Sequence, residues 1–443
     1  MKIALILPRA GIYRYKTGAF SRFVRYAPLT LTTLASLVPE EISTDIQIYD
    51  EGIETVNKKK ITADIVGLTA ITGASMRAYA YADFFRAQGI PVIMGGVHAT
   101  LMPEEAKLHA DAVITGPAYE TWPQALRDFK NGTLQPLYRP PPHIDFSKIP
   151  NPDRLSLWGS GRGFITINSI QAVFGCPNSC DFCVTPVVCS GYQHRPIQDV
   201  VREIASLRGK YFVFVDPSPI ENIQYAVALY SALAPLKKKW TGLATTRLVN
   251  HPELMDAMEA GGCKGLLIGF ESLSQGSVNT IKKGFNRVAD YYRLADDLHR
   301  RGIAIMGCFV HGLDGDDQDC FKRTLEFVNN ANIDLPRFTV CTPFPGTPYF
   351  DGLKRDGRIL TENWALYDAQ HVVFRPLNMS PDELAAGHHW VWREAYRLPS
   401  MIKRMTCSRS FLKAALVTNY AYRRYAKKLP RYTADVMEQD HRI

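Results

Sequence analysis

The chain has 443 residues, of which 46% are apolar and 21% charged, and its net charge is +9. That length supports two or three separate cores, and no apolar run approaches the ~18 residues of a membrane-spanning helix. Nine cysteines, an odd number scattered through a large chain, argue against a disulfide framework and for a reducing cytoplasm. The chain opens with Lys2–Pro8, too short an apolar stretch for a signal peptide and better read as a first buried strand. Further short apolar strands are expected at Asp45–Tyr49, Ile65–Thr69, Val92–Gly95 and Ala112–Thr115. Helical periodicity or capping marks Leu29–Leu37, Ser75–Gln88, Pro103–His109 and Thr121–Asn131 between them. This rhythm predicts a doubly wound parallel sheet over residues 1–135, with ligands bound beyond the carboxyl ends of its strands. Three such loops hold small residues that let backbone approach a bulky ligand: Thr69 and Thr72 in the first, Gly95, Gly96 and His98 in the second, Gly116 and Tyr119 in the third. No G-x-G-x-x-G follows the first strand, which argues against a nicotinamide domain.

A proline-rich connector covers residues 136–162. Six strand–helix units are then expected over 163–350. Their strands are Phe164–Val173, Tyr211–Val215, Trp240–Thr245, Gly265–Ile268, Ala304–Phe309 and Arg337–Cys341. They predict a parallel, partly open (β/α)6 barrel with its site at the carboxyl ends of the strands. After the first of them runs Phe174-Gly-Cys-Pro-Asn-Ser-Cys-Asp-Phe-Cys-Val184, which places Cys176, Cys180 and Cys183 on one loop. Three close-set thiolates can hold three irons of a cubane cluster and leave the fourth open, and an open iron is a place for chemistry. The competing reading is a zinc knuckle, for which Cys189 is the only nearby fourth ligand. Cys263, Cys308, Cys320, Cys341 and Cys407 are isolated and read as small buried hydrophobes.

The spacing C-x3-C-x2-C, with Phe182 before the last cysteine, resembles the cluster loop of radical S-adenosylmethionine enzymes. The resemblance implies a 4Fe–4S cluster whose open iron is chelated by S-adenosylmethionine, and a 5′-deoxyadenosyl radical released on reduction. The run Leu266–Ser272, ending Ile-Gly-Phe-Glu-Ser, matches the same barrel. By that likeness Glu271 would bind the ribose or an adjoining group, Asp216 and Arg247 would line the amino or carboxylate end, and Phe182 would wall the site. Asp216 as a helix N-cap and Arg247 as a surface ion pair stand as alternatives. The stretch Gly95-Gly-Val-His-Ala-Thr100 and the segment Asp111–Trp122 are similar to the cobalamin-binding domain that precedes the barrel in one subgroup. The D-x-H-x-x-G signature that supplies a histidine to cobalt is absent, so the likeness implies base-off cobalamin held by Thr69, Thr72, Gly95, Gly96, His98, Gly116 and Tyr119. A degenerate domain without cobalamin, and a purely structural His98, are the alternatives.

Residues 351–443 read as a mostly helical extension. Its stretch 400–431 carries nine Lys or Arg and no acid, which accounts for the whole charge excess. The body is therefore near neutral, which argues against a nucleic-acid groove. Interleaved with the charges are Phe411, Leu416, Val417, Tyr420, Tyr422 and Tyr425, a pattern suited to an anionic membrane surface or to capping the barrel. The expected function is a cobalamin-dependent radical methylase acting on an unactivated carbon of a small-molecule, lipid or tetrapyrrole substrate. Electrons would come from an external low-potential reductase of flavodoxin or ferredoxin type. The rivals are other radical work on the same scaffold, a passive electron-transfer cluster, and a zinc-stabilised nucleic-acid module.

Overall fold

The computed structural model describes residues 1–10, 24–154, 157, 165–189, 191–405 and 412–439. Phe164, Cys407, Phe411 and linker residues 158–162 lie outside them. The chain runs through β1 (Lys2–Leu7), β2 (Val24–Tyr26), β3 (Asp45–Asp50), β4 (Ile65–Thr69), β5 (Val92–Gly95), β6 (Ala112–Ile114) and β7 (Leu137–Tyr138). All but β2 form one parallel sheet in the order β3-β1-β4-β5-β6-β7.

Alternation along the strands divides their side chains between two cores. Ala4, Ile6, Val66 and Leu68 meet Ala78, Ala82 and Phe85 of the helix Ser75–Arg86. Ile3, Leu5 and Ile65 meet Leu31 of the helix Leu29–Ser36 and Trp122 and Leu126 of the helix Thr121–Lys130. With helices on both faces, every residue of β4 is buried.

The second half contains β8 (Ile165–Ile170), β9 (Val173–Phe174), β10 (Gln193–His194), β11 (Tyr211–Phe214), β12 (Lys239–Ala244), β13 (Cys263–Glu271), β14 (Ala304–His311) and β15 (Arg337–Val340). Its curled parallel sheet has seven strands, β15-β14-β13-β12-β11-β8-β2. The expected six are there, and the seventh, β2, comes from the amino-terminal region. It pairs with β8 from Val24↔Ile165 to Tyr26↔Ile167. Three residues carry too little alternation to read as a strand, and the pairing that makes them one spans about 140 positions. β14 alternates half-buried Met306, Cys308 and Val310 with buried Ile305, Gly307 and Phe309, which sets the first three on the barrel's inner face.

The extension is helical as expected. Ser380 and Glu383 form a capping box that starts the helix Pro381–Ala395, which packs along β15. The helices Leu398–Met405 and Leu412–Gln439 follow. Arg404 is fully buried, with Nη1 donating to the Ala395 carbonyl at 2.6 Å. Tyr422 and Tyr425 turn inward onto Trp392, at ring separations of 5.8 and 5.1 Å. Among the described residues no helix is long and apolar enough to cross a membrane.

Candidate active site at the mouth of the barrel

The cysteine loop is held at both ends by backbone. β9 and β10 pair as a short antiparallel ribbon that frames it. Gly175 takes φ 71°, and a Cβ there would overlap the Gly191 carbonyl, so only glycine fits this hinge. Within the loop Asn178 Nδ2 donates to Cys176 Sγ and the Thr185 N–H to Cys183 Sγ, each at 3.4 Å, as suits sulfurs that carry negative charge. Burial pushes the Cys180 thiol up to about 11, the Lys283 ammonium opposes that shift, and the two neighbouring thiols reinforce it. Cationic irons would reverse this balance and hold the trio as thiolates. Among the described residues no three His, Cys, Asp or Glu converge on one ion. A cubane, in which each thiolate meets its own iron, does not ask them to. Cys189, the fourth ligand that a zinc site would need, is engaged by the Gly175 N–H.

The barrel strands end around this loop. Glu271 closes β13 with φ 64°, beside a register shift against β14, and is 7% exposed. Such strain in a non-glycine residue persists only where neighbours impose it. Here buried Asn286 does so, donating Nδ2 to the Gly269 and Phe270 carbonyls at 2.8 and 3.2 Å. Glu271 is ion-paired with Lys283, itself largely buried. Burial lowers the Lys283 pKa, but Glu271, Cys180 and Cys183 together outweigh it and the net shift is upward. Arg247 donates Nη1 to Glu221 at 3.0 Å and Nη2 to Asn178 of the cysteine loop at 3.1 Å, with its guanidinium 4.5 Å from the Phe285 ring centroid. It is thus more than a surface pair: it ties β12's end to the loop. Phe182 is half-buried against the barrel core.

Asp216 faces inward. Its Oδ1 accepts the Ala172 and Val173 N–H groups at 2.7 and 2.5 Å, which pins the start of the cysteine loop to the end of β11. It caps no helix. Oδ2 is buried with no partner, and burial pushes the carboxyl up to about 7 against the pull of those N–H groups. Sequence reasoning missed Lys283, Phe285 and Asn286, together with the buried carboxylate Glu221, which accepts from Ser218, Thr245 and Arg247. The available signal was Lys282-Lys-Gly-Phe-Asn286 soon after Glu271, a cation pair beside a carboxylate.

The carboxyl edge of the first sheet abuts this mouth. The helix Val97–Leu101, which starts at Gly96, packs against Thr185–Val188, the helix leaving the cysteine loop. Gly116 takes φ 63°, and a Cβ there would stand 2.9 Å from Pro140 and 3.5 Å from the Val188 carbonyl. Tyr119 sets its ring edge-on to Phe174, centroids 5.2 Å apart, one residue before the Gly175 hinge. Gly96, at φ 93°, leaves room for nothing larger against Thr69 and Ala70. Thr69, Gly95, Gly96 and Gly116 thus present an edge with little side-chain bulk, which suits a large flat cofactor. Thr72 packs beneath the segment that carries Tyr367, and its hydroxyl is buried without a partner. His98 turns away from the edge. Its Nε2 lies 3.0 Å from the Tyr79 hydroxyl and 3.6 Å from Glu105, with its ring against Trp364. These three partners bury the side chain and hold it off the edge.

The radical SAM superfamily profile matches residues 170–328. Over 412 residues the chain is 30% identical to bacteriochlorophyllide d C-12(1)-methyltransferase of Chlorobaculum tepidum, covering 91% of this chain and 89% of that protein. It is 28% identical to the C-8(2)-methyltransferase of the same organism, over 80% and 82% of the two chains. The fold matches the radical S-adenosylmethionine methyltransferase TsrM of Kitasatospora setae with cobalamin and a 4Fe–4S cluster bound, at TM-score 0.66 and 16% identity over 99% of each chain. It also matches the cobalamin-dependent S-adenosylmethionine radical enzyme OxsB, at TM-score 0.70 and 13% identity over 99% of this chain and 80% of that one. At such identities the likeness to these two is one of fold.

Proposed function

The chain belongs to the radical S-adenosylmethionine superfamily, with the fold of its cobalamin-dependent members, and from that premise we propose a methyltransferase acting on an unactivated carbon of a tetrapyrrole. The observation that carries the reading is the abutment of two sites. The glycine-lined edge of the first sheet meets the helix that leaves the cysteine loop, so two cofactors would share one cleft. When bound, the cluster with S-adenosylmethionine would supply hydrogen abstraction from the substrate, and cobalamin would supply the methyl group.

The chain's own residues prepare that cleft. Cys176, Cys180 and Cys183 would hold three irons, with Asn178 and the Thr185 N–H spreading charge from two of the sulfurs. Arg247 locks the loop through Asn178. Glu271, ion-paired with Lys283, would accept from ribose hydroxyls. Thr69, Gly95, Gly96, Gly116 and Tyr119 would hold cobalamin at the opposite wall, and Thr72, buried beneath them, would support it without contact. The inner face of β14, with Met306, Cys308 and Val310, offers no charge to a substrate and so favours an apolar one. The two relatives from Chlorobaculum tepidum are, by name, methyltransferases of bacteriochlorophyllide d, which supports a tetrapyrrole as the apolar substrate. A low-potential reductase would deliver the electrons, since the sequence holds no second close-set cysteine cluster.

The test is anaerobic turnover of the reconstituted protein with methyl-labelled S-adenosylmethionine and bacteriochlorophyllide-type substrates. A product heavier by one labelled methyl group supports the reading. Deoxyadenosine with a product that has changed without gaining the label would instead assign cyclisation or rearrangement to the scaffold.

A further inference from the structure

The helix Leu412–Gln439 has two unlike sides. At ~100° per residue, Tyr422, Tyr425, Ala426, Leu429 and Tyr432 fall on one side, turned toward the body of the protein. Leu416, Val417, Tyr420, Arg424, Lys427 and Lys428 fall within about 120° on the other, and all six are exposed. Leu416, Val417 and Tyr420 stand 46%, 47% and 57% open to solvent. The helix Leu398–Met405, packed against it, adds Leu398 and Ile402, one turn apart and similarly open. An ordinary solvated face mixes charges of both signs and isolates its apolar residues. This face stacks large apolar residues and cations on one stripe, and residues 400–434 contain no acid at all.

The last helix packs on the helices Pro381–Ala395 and Leu398–Met405. Arg423 Nη1 donates to the Tyr396 carbonyl at 2.8 Å, and His371 Nε2 lies 2.9 Å from the Thr433 carbonyl. Its inner side is thereby fixed to the extension, and its outer stripe is left to solvent.

We propose that this outer stripe binds an anionic lipid surface. Leu416, Val417 and Tyr420 enter the headgroup layer, and Arg424, Lys427 and Lys428 meet lipid phosphates. The inference is independent of the methyl-transfer reading, because it concerns where the enzyme sits and not what it makes.

The experiment is co-sedimentation of the full chain with phosphatidylcholine vesicles, with and without phosphatidylglycerol, across a salt series. Binding is expected only with the anionic lipid and is expected to fade with salt. Arg424→Gln/Lys427→Gln/Lys428→Gln should lower partitioning about 100-fold, at roughly fivefold per cation. Leu416→Ser/Val417→Ser/Tyr420→Ser should weaken it while leaving the remainder more salt-sensitive. All six positions point outward, so circular dichroism and cluster absorption should match the parent. Failure of the parent chain to bind phosphatidylglycerol vesicles at low salt overturns the proposal, as does a cation variant that binds equally well. An apolar variant that only converts a dimer to a monomer in light scattering also overturns it, and would assign the face to a second copy.

Discussion

Asp216 gives the structure's sharpest thermodynamic prediction. Its carboxyl is fully enclosed, Oδ1 accepts two backbone N–H groups, and Oδ2 meets nothing. The folded pKa of about 7 against the ordinary 3.8 means that the folded chain holds a proton which the unfolded chain releases. Stability from this group is complete below the unfolded value and is lost as pH rises through the folded one. The full span is on the order of 4 kcal/mol. Between pH 6 and pH 8.5 the loss is roughly 1.4 kcal/mol, or about 3–6 °C in Tm for a domain of this size. Asp216→Asn keeps the acceptor for Ala172 and Val173 but cannot ionise, so its Tm should lack this slope whatever constant offset its buried amide imposes. Asp216→Ala, which orphans both N–H groups, should cost about 2–5 kcal/mol at pH 6 and roughly 1.4 kcal/mol less at pH 8.5, where the parent has lost that stability. Thermal melts of the three proteins from pH 6 to 8.5 supply the comparison. Repeating them with S-adenosylmethionine separates an anchor from a ligand contact, since an ammonium brought to Oδ2 would flatten the parent's slope. A parent slope identical to that of Asp216→Asn in the free protein would refute the reasoning.

Gly175→Ala should abolish cluster assembly while preserving most helix signal, because the hinge has both φ 71° and no space for a methyl group; iron content and far-ultraviolet dichroism report the two halves. Lys283→Met leaves Glu271 buried without its cation and should cost about 3–5 kcal/mol. Adding Glu271→Gln should restore much of the Tm, while binding of S-adenosylmethionine, read by titration calorimetry, stays weak in the double variant.

The strands were legible because each is a short apolar run between turn residues, and β4 and β13 were found within a few positions. The cysteine loop and Glu271 were legible because their chemistry sits in contiguous residues. Lys283 and Glu221 were not, since a lysine or glutamate reads as surface until tertiary packing buries it against an opposite charge. β2 escaped for a related reason: its partner β8 lies far along the chain. His98 and Asp216 stand in the expected loops, but their side chains turn inward, and sequence pattern reports position without direction. The tail's pattern suits either an anionic surface or capping of the barrel, and its tyrosines divide between sides, with Tyr422 and Tyr425 inward and Tyr420 outward.

The proposed chemistry centres on one iron left without a protein ligand at the Cys176–Cys183 loop. Anaerobic reconstitution followed by electron paramagnetic resonance with and without S-adenosylmethionine tests it directly. One cubane's complement of iron and sulfide per chain, a spectrum that shifts when S-adenosylmethionine binds, and loss of both in the Cys176→Ala/Cys180→Ala/Cys183→Ala variant are predicted. Stoichiometric zinc in place of the cluster, or a cluster spectrum indifferent to S-adenosylmethionine, would contradict it.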